Sequence, residues 1–181
     1  EMSTQSDLPN FEQLLAMALD VNETTRNNGM NAINSLAEQN LSSFFQQLGM
    51  ILSNESKPTN VRQLSAILIK NSLLYVDKFQ EIWKKSMPNE QKENIKLLVL
   101  STLASSKKEI RTSASTVISS ISKIDSPITQ TWPKLLPSLT DNSFNSDINM
   151  KLSAIEALGY VCEELTIKSI DSSNVDKIMN A

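Results

Sequence analysis

Histidine is absent from the 181 residues of this chain, and cysteine occurs once. The first absence removes Ser-His triads, Cys-His pairs and histidine-ligated zinc. The second rules out an internal disulfide and fits a reducing compartment. Three glycines, Gly29, Gly49 and Gly159, are too scattered for a phosphate-cradling loop or a dinucleotide-binding turn. Lys and Arg number 17 against 20 acidic residues, a formal charge of -3, so neither nucleic acid nor an anionic membrane surface finds a basic footprint. No apolar run approaches the ~20 residues of a membrane span. The opening EMSTQSDLPN lacks the basic and apolar regions of a signal peptide. Asn-x-Ser/Thr at Asn22, Asn40 and Asn54 reads as chance in a chain rich in both residue types. These absences predict a soluble, intracellular protein that is not an enzyme and holds no cofactor and no metal.

What is present is helical periodicity, in a chain that is 40% hydrophobic. Trp132, Leu135, Leu136 and Leu139 fall at i, i+3, i+4 and i+7, one stripe of a helix. Pro133 suits its first turn, and Pro137 lies deep enough to predict a kink. A polar stretch from Asp141 to Asp147 follows, with Ser146 or Asp147 as cap for a second helix whose predicted stripe is Leu152, Ile155, Leu158, Cys162 and Leu165. Cys162 on that stripe reads as a small buried hydrophobe. Glu163 and Glu164 diverge on the helix and form no catalytic pair. Such a hairpin cannot bury its apolar faces alone.

The same pattern recurs along the chain. Aligning Arg26, Arg62, Arg111 and Lys151 puts a small residue three positions on (Gly29, Ser65, Ala114, Ala154) and an aliphatic one seven on (Ile33, Ile69, Ile118, Leu158). The basic residues are 36, 49 and 40 apart, close to the repeat of about 40 residues of HEAT or armadillo units. A mid-helix glycine at 29 implies a close crossing. The chain divides into a tail (1–9), repeat one (10–40), repeat two (41–76), an inserted short helix with Phe79, Ile82 and Trp83 (77–87), repeat three (88–125), repeat four (126–166) and the start of a fifth (167–181). The predicted fold is all-α, a right-handed α-solenoid of about four HEAT repeats plus the start of that fifth. In such a solenoid the second helices line the inner face where partners bind. The four basic residues then form a ladder, either facing an acidic partner or, the favoured reading, bridging consecutive repeats against acids such as Asp141.

I-K-N-S-L at Ile69 to Leu73, Q-E-I-W from Gln80 to Trp83, L-V-L-S-T-L at Leu98 to Leu103, S-A-S at Ser113 to Ser115, W-P-K-L-L-P-S-L at Trp132 to Leu139 and L-G-Y-V-C at Leu158 to Cys162 resemble the N-terminal HEAT repeats of importin-β, in the same order and at similar spacing. The resemblance implies a nuclear import receptor that shuttles between cytoplasm and nucleus. It also implies that the inner helices dock the GTPase Ran in its GTP form, with Lys70 on that surface. Without the resemblance, Lys70 complements a helix C-terminus and Asn71 helps end the helix. Asn71 joins the candidate surface, as do Asn27 and Asn31, which otherwise solvate an exposed face. Where the family places a further lysine this chain has Val76, with Lys78 two residues on. FG-repeat nucleoporins, importin-α and cargo would engage later repeats. Ile178 and Met179 are either half of a nucleoporin groove or core packing for a following hairpin. The alternative function is an unrelated HEAT scaffold, such as a phosphatase regulatory subunit, with no dependence on Ran.

Overall fold

A computed structural model describes residues 10–164. Ten α-helices and no strand occur among the described residues. Asparagines start the first three helices: the Asn10 side chain accepts from the Gln13 amide, Asn22 from Thr25 and Asn40 from Ser43, satisfying N–H groups that a first turn leaves unpaired. Asn54 likewise accepts from the Ser56 amide. The three sequon asparagines thus each hold a turn or a helix start.

The first hairpin is α1 (Phe11–Ala18) and α2 (Glu23–Gln39), and the second is α3 (Leu41–Ser53) and α4 (Thr59–Tyr75). The insertion forms α5 (Asp77–Glu81), continuing into a π-helical turn at Ile82–Ser86 that buries Trp83. The third hairpin is α6 (Asn89–Ser101), tightened to 3-10 at Thr102–Ala104, and α7 (Lys108–Ile124); α8 (Ile128–Thr131) then leads to α9 (Leu135–Ser143) and α10 (Ile148–Glu164). Helices α4, α7 and α10 lie side by side as an inner row, and α3 packs on α6 outside them. The first hairpin departs from this order. Its α2 packs on α1 and on the start of α3, but its backbone hardly approaches α4.

A single apolar seam runs through the stack. Phe11, Phe44, Phe45 and Trp83 carry it across the first hairpin, the second and the insertion, with ring centroids 5.6 to 5.9 Å apart. Gly29 marks a close crossing of α2 on α1. A Cβ there would come 2.7 Å from the Ala18 nitrogen and 2.9 Å from the Leu14 oxygen, so only glycine lets α2 lie this close to α1.

Two local expectations are corrected. Trp132 precedes α9, with φ -144°, and Pro137 is the third residue of that helix, where no intrahelical N–H bond exists to be lost. No deep proline interrupts α9. In α10 the buried stripe is Ala154, Ala157, Leu158 and Val161, while Leu152 and Ile155 are 56% and 45% exposed. This helix meets α7 and α9 on two flanks, and close packing there selects its small residues over its largest ones. Cys162 is half-buried, and Leu165 lies outside the described residues.

Candidate partner-docking face

The second helix of each hairpin carries positions one, five and eight residues after its basic residue on one face. On α2 these are Asn27, Asn31 and Asn34, all exposed. On α4 they are Gln63, Ile67 and Lys70, with Ile67 47% exposed. The face changes character at α7, where Thr112 donates to both carboxylate oxygens of Glu156 on α10, at 3.1 and 3.2 Å. Ser119 donates to the Tyr160 carbonyl oxygen at 3.2 Å. Polar groups on α7 and α10 are therefore spent on each other, whereas those on α2 and α4 point outward.

Lys70 stands half-buried on α4 and makes no hydrogen bond or ion pair among the described residues. Because α4 runs on to Tyr75, Lys70 is not in its last turn and the exposed Asn71 does not end it. The helix-ending account of these two residues is therefore corrected. Lys78, on α5, forms an ion pair with Glu38 on α2. It joins the first hairpin to the insertion.

The basic positions divide. Arg62 is 1% exposed; its Nε donates to the Leu52 carbonyl oxygen at 2.8 Å and its Nη2 to Glu55 at 2.8 Å and to the Ser105 hydroxyl at 3.2 Å, tying the second hairpin to the third. The hydrogen bond from Arg62, then the hydroxyls of Ser105 and Ser106, hold the Glu55 carboxyl down to about 2 from its ordinary 4.5. Arg111 donates to the Ser105 carbonyl oxygen at 2.8 Å and to Asn149 at 3.2 Å, reaching the fourth hairpin. Arg26 donates only within its own hairpin, to the carbonyl oxygens of Asp20 and Val21. Lys151 makes no side-chain bridge among the described residues. Asp141 takes no part in the ladder; the one acid used is Glu55. The bridging positions are thus Arg62 and Arg111, where a guanidinium fork can reach carbonyls on both sides. Ile178 and Met179 lie outside the described residues.

Sequence reasoning missed a buried polar knot. Lys96, 2% exposed on α6, contacts Glu93 at 3.0 Å and Asp125 at 2.9 Å, donates to the Thr131 carbonyl oxygen at 2.7 Å, and lies 5.2 Å from the centre of the Trp132 ring. Trp83 Nε1 donates to the other Asp125 oxygen at 2.7 Å. Insertion, third hairpin and fourth hairpin meet here. Burial raises the Cys162 thiol above its ordinary value, away from nucleophile chemistry. Among the described residues no group of His, Cys, Asp and Glu could hold a metal, and no helix is long and apolar enough to cross a membrane.

Stacked helical hairpins whose inner helices lie side by side define a HEAT-type α-solenoid. The importin-beta N-terminal domain family model matches residues 30–105. Importin subunit beta-1 of Arabidopsis thaliana is 30% identical over 174 residues, covering 93% of this chain and 20% of that protein. Among solved structures, one in which Kap95p binding induces the switch loops of RanGDP to adopt the GTP-bound conformation matches with TM-score 0.84 and 28% identity, over 91% of this chain and 20% of that one. A Kap95:Nup1 complex matches with TM-score 0.83 and 26% identity, over 93% and 20%. The chain belongs to the importin-β family. It spans about a fifth of the length of these relatives, 20% in each case.

Proposed function

We propose that this chain is the N-terminal part of a nuclear import receptor and docks Ran in its GTP form on the outward face of α2 and α4. The observation that carries the reading is Lys70: a half-buried lysine in mid-helix, without a partner among the described residues, in a chain that matches a Ran-bound relative over 91% of its length. Asn71 follows it on α4, and Asn27 and Asn31 on α2 add exposed amides that can donate and accept. Lys78 contributes through Glu38, by holding the end of α2, and is available to a partner only if that ion pair opens.

Release of cargo requires that Ran-GTP bind the receptor far more tightly than Ran-GDP does, since a ligand shifts an equilibrium only by its differential affinity. A stack held by neighbour contacts can pass a curvature change to later repeats, where importin-α, cargo and FG-repeat nucleoporins would sit. Such a receptor would shuttle between cytoplasm and nucleus, binding no nucleic acid and inserting in no membrane. It would be a carrier and not an enzyme. Membership of the family displaces the unrelated-scaffold alternative.

The immobilised chain should capture Ran loaded with a non-hydrolysable GTP analogue at least about tenfold more tightly than Ran-GDP, within the usual range of coupling between sites. Lys70→Glu should weaken that capture and leave the melting temperature unchanged. Equal capture of the two nucleotide forms would overturn the proposal.

A further inference from the structure

A cleft of about 800 Å³ opens where the end of α7 meets the start of α6, the π-helical turn and α8. Its lining carries four lysines, Lys84, Lys92, Lys96 and Lys123, against two carboxylates, Glu93 and Asp125. The chain as a whole is acidic, so this concentration of positive charge is local. Both carboxylates already contact the buried Lys96, at 3.0 and 2.9 Å. Lys96 offsets one of these two carboxylate charges, and the other lysines of the lining leave it net positive. Lys92 donates to the Lys84 carbonyl oxygen at 3.4 Å, which sets its ammonium beside the π-helical turn that carries Lys84.

We propose that this cleft is a docking site for an acidic peptide segment of a partner protein. Three features select that chemistry. Asn89 and Gln130 in the lining offer side-chain amides, which pair with both the N–H and the C=O of an extended peptide. No aromatic side chain lines the cleft, so a nucleobase would find nothing to stack on. A compact polyphosphate would bring several charges together near Glu93 and Asp125, of which Lys96 offsets only one, while an extended chain can place its carboxylates singly beside Lys84 and Lys92. The site is remote in role from the α2 and α4 face and does not rest on the Ran reading.

The two tryptophans behind the floor report on it. Trp83 is bonded to Asp125, and Trp132 lies under the Lys96 ammonium, so a charge entering the cleft should perturb their emission. The 181-residue chain is titrated with an Asp/Glu-rich decapeptide, with its Asn/Gln counterpart, and with inositol hexakisphosphate. The acidic peptide should bind saturably, at least about tenfold more tightly than the neutral one, and more weakly as salt is added. The double change Lys84→Glu with Lys92→Glu should remove at least about tenfold of that affinity with an unchanged melting curve, whereas Lys70→Glu should leave it intact. Equal binding of acidic and neutral peptides, indifference to the double change, or binding of inositol hexakisphosphate without binding of the peptide would each overturn the proposal.

Discussion

The first junction of the stack and the later ones are held in different ways. Between α4, α7 and α10 the inner helices run side by side, and Arg62, Arg111 and the Lys96–Asp125–Trp83 knot bind one hairpin to the next in the buried interior. At the first junction α2 stands off from α4. Beyond the Phe11–Phe44 ring contact, that junction is clasped by the ion pairs Lys57–Glu12, at 2.5 Å, and Lys78–Glu38, both reaching solvent. Buried polar bridges fix geometry, while exposed ones yield to salt and to competing charges. The hairpin carrying the asparagine row is therefore the one least fixed by buried polar bridges.

The contrast is broken most directly at the knot. Lys96→Ala should cost about 3–5 kcal/mol, the usual penalty for leaving a buried charge unpaired, read as a fall in the denaturant midpoint. The mirror experiment is Gly29→Val, inside the first hairpin. It should cost about 1–3 kcal/mol or more by overpacking, because backbone atoms of α1 stand 2.7 and 2.9 Å from the new Cβ and cannot retreat as a flexible side chain would.

Acid sharpens the comparison at the Arg62 bridge. The Glu55 carboxyl is held at about 2 in the folded chain, against an ordinary 4.5. Its contribution to stability is complete above pH 4.5 and is lost as pH falls toward 2. Glu55→Gln should flatten thermal stability measured across that window. An unchanged slope would show that the carboxylate does not act there. The smallest effect belongs to the outer clasp. Lys78→Ala should cost about 0.2–1 kcal/mol at low salt and less at high salt. If it matched Lys96→Ala, the two kinds of junction would not differ in kind.

The hairpins were readable because 3.6-residue periodicity survives in nearly every segment, and Gly29 announced its close crossing by sitting where helix propensity argues against it. The knot was not readable. Lys96 closes the run N-E-Q-K-E-N-I-K, which looks like a solvated face, and its partners Asp125 and Thr131 are 29 and 35 positions away. Nothing local marks a lysine for burial when its ligands come from two later segments. The α10 face failed for a related reason: a helix flanked by neighbours on two sides buries Ala154 and Ala157 with Leu158 and shows Leu152 and Ile155, so size and period pointed to a stripe that is only partly buried. For the candidate docking residues, the helices that carry Asn27, Asn31, Lys70 and Asn71 were legible in the sequence. It did not reveal that Lys78 is already engaged by Glu38.

The close seat of Gly29 against α1 also has a chemical consequence. Asn28 precedes it, and Asn-Gly is the dipeptide in which a glycine nitrogen most easily attacks the neighbouring amide to form a succinimide. Inside α2 the helical backbone holds that nitrogen away from the side-chain carbonyl carbon, so the bond is shielded for as long as the helix stays closed. Isoaspartate accumulating at Asn28 would then act as a covalent clock, recording how often α2 opens over the lifetime of the chain.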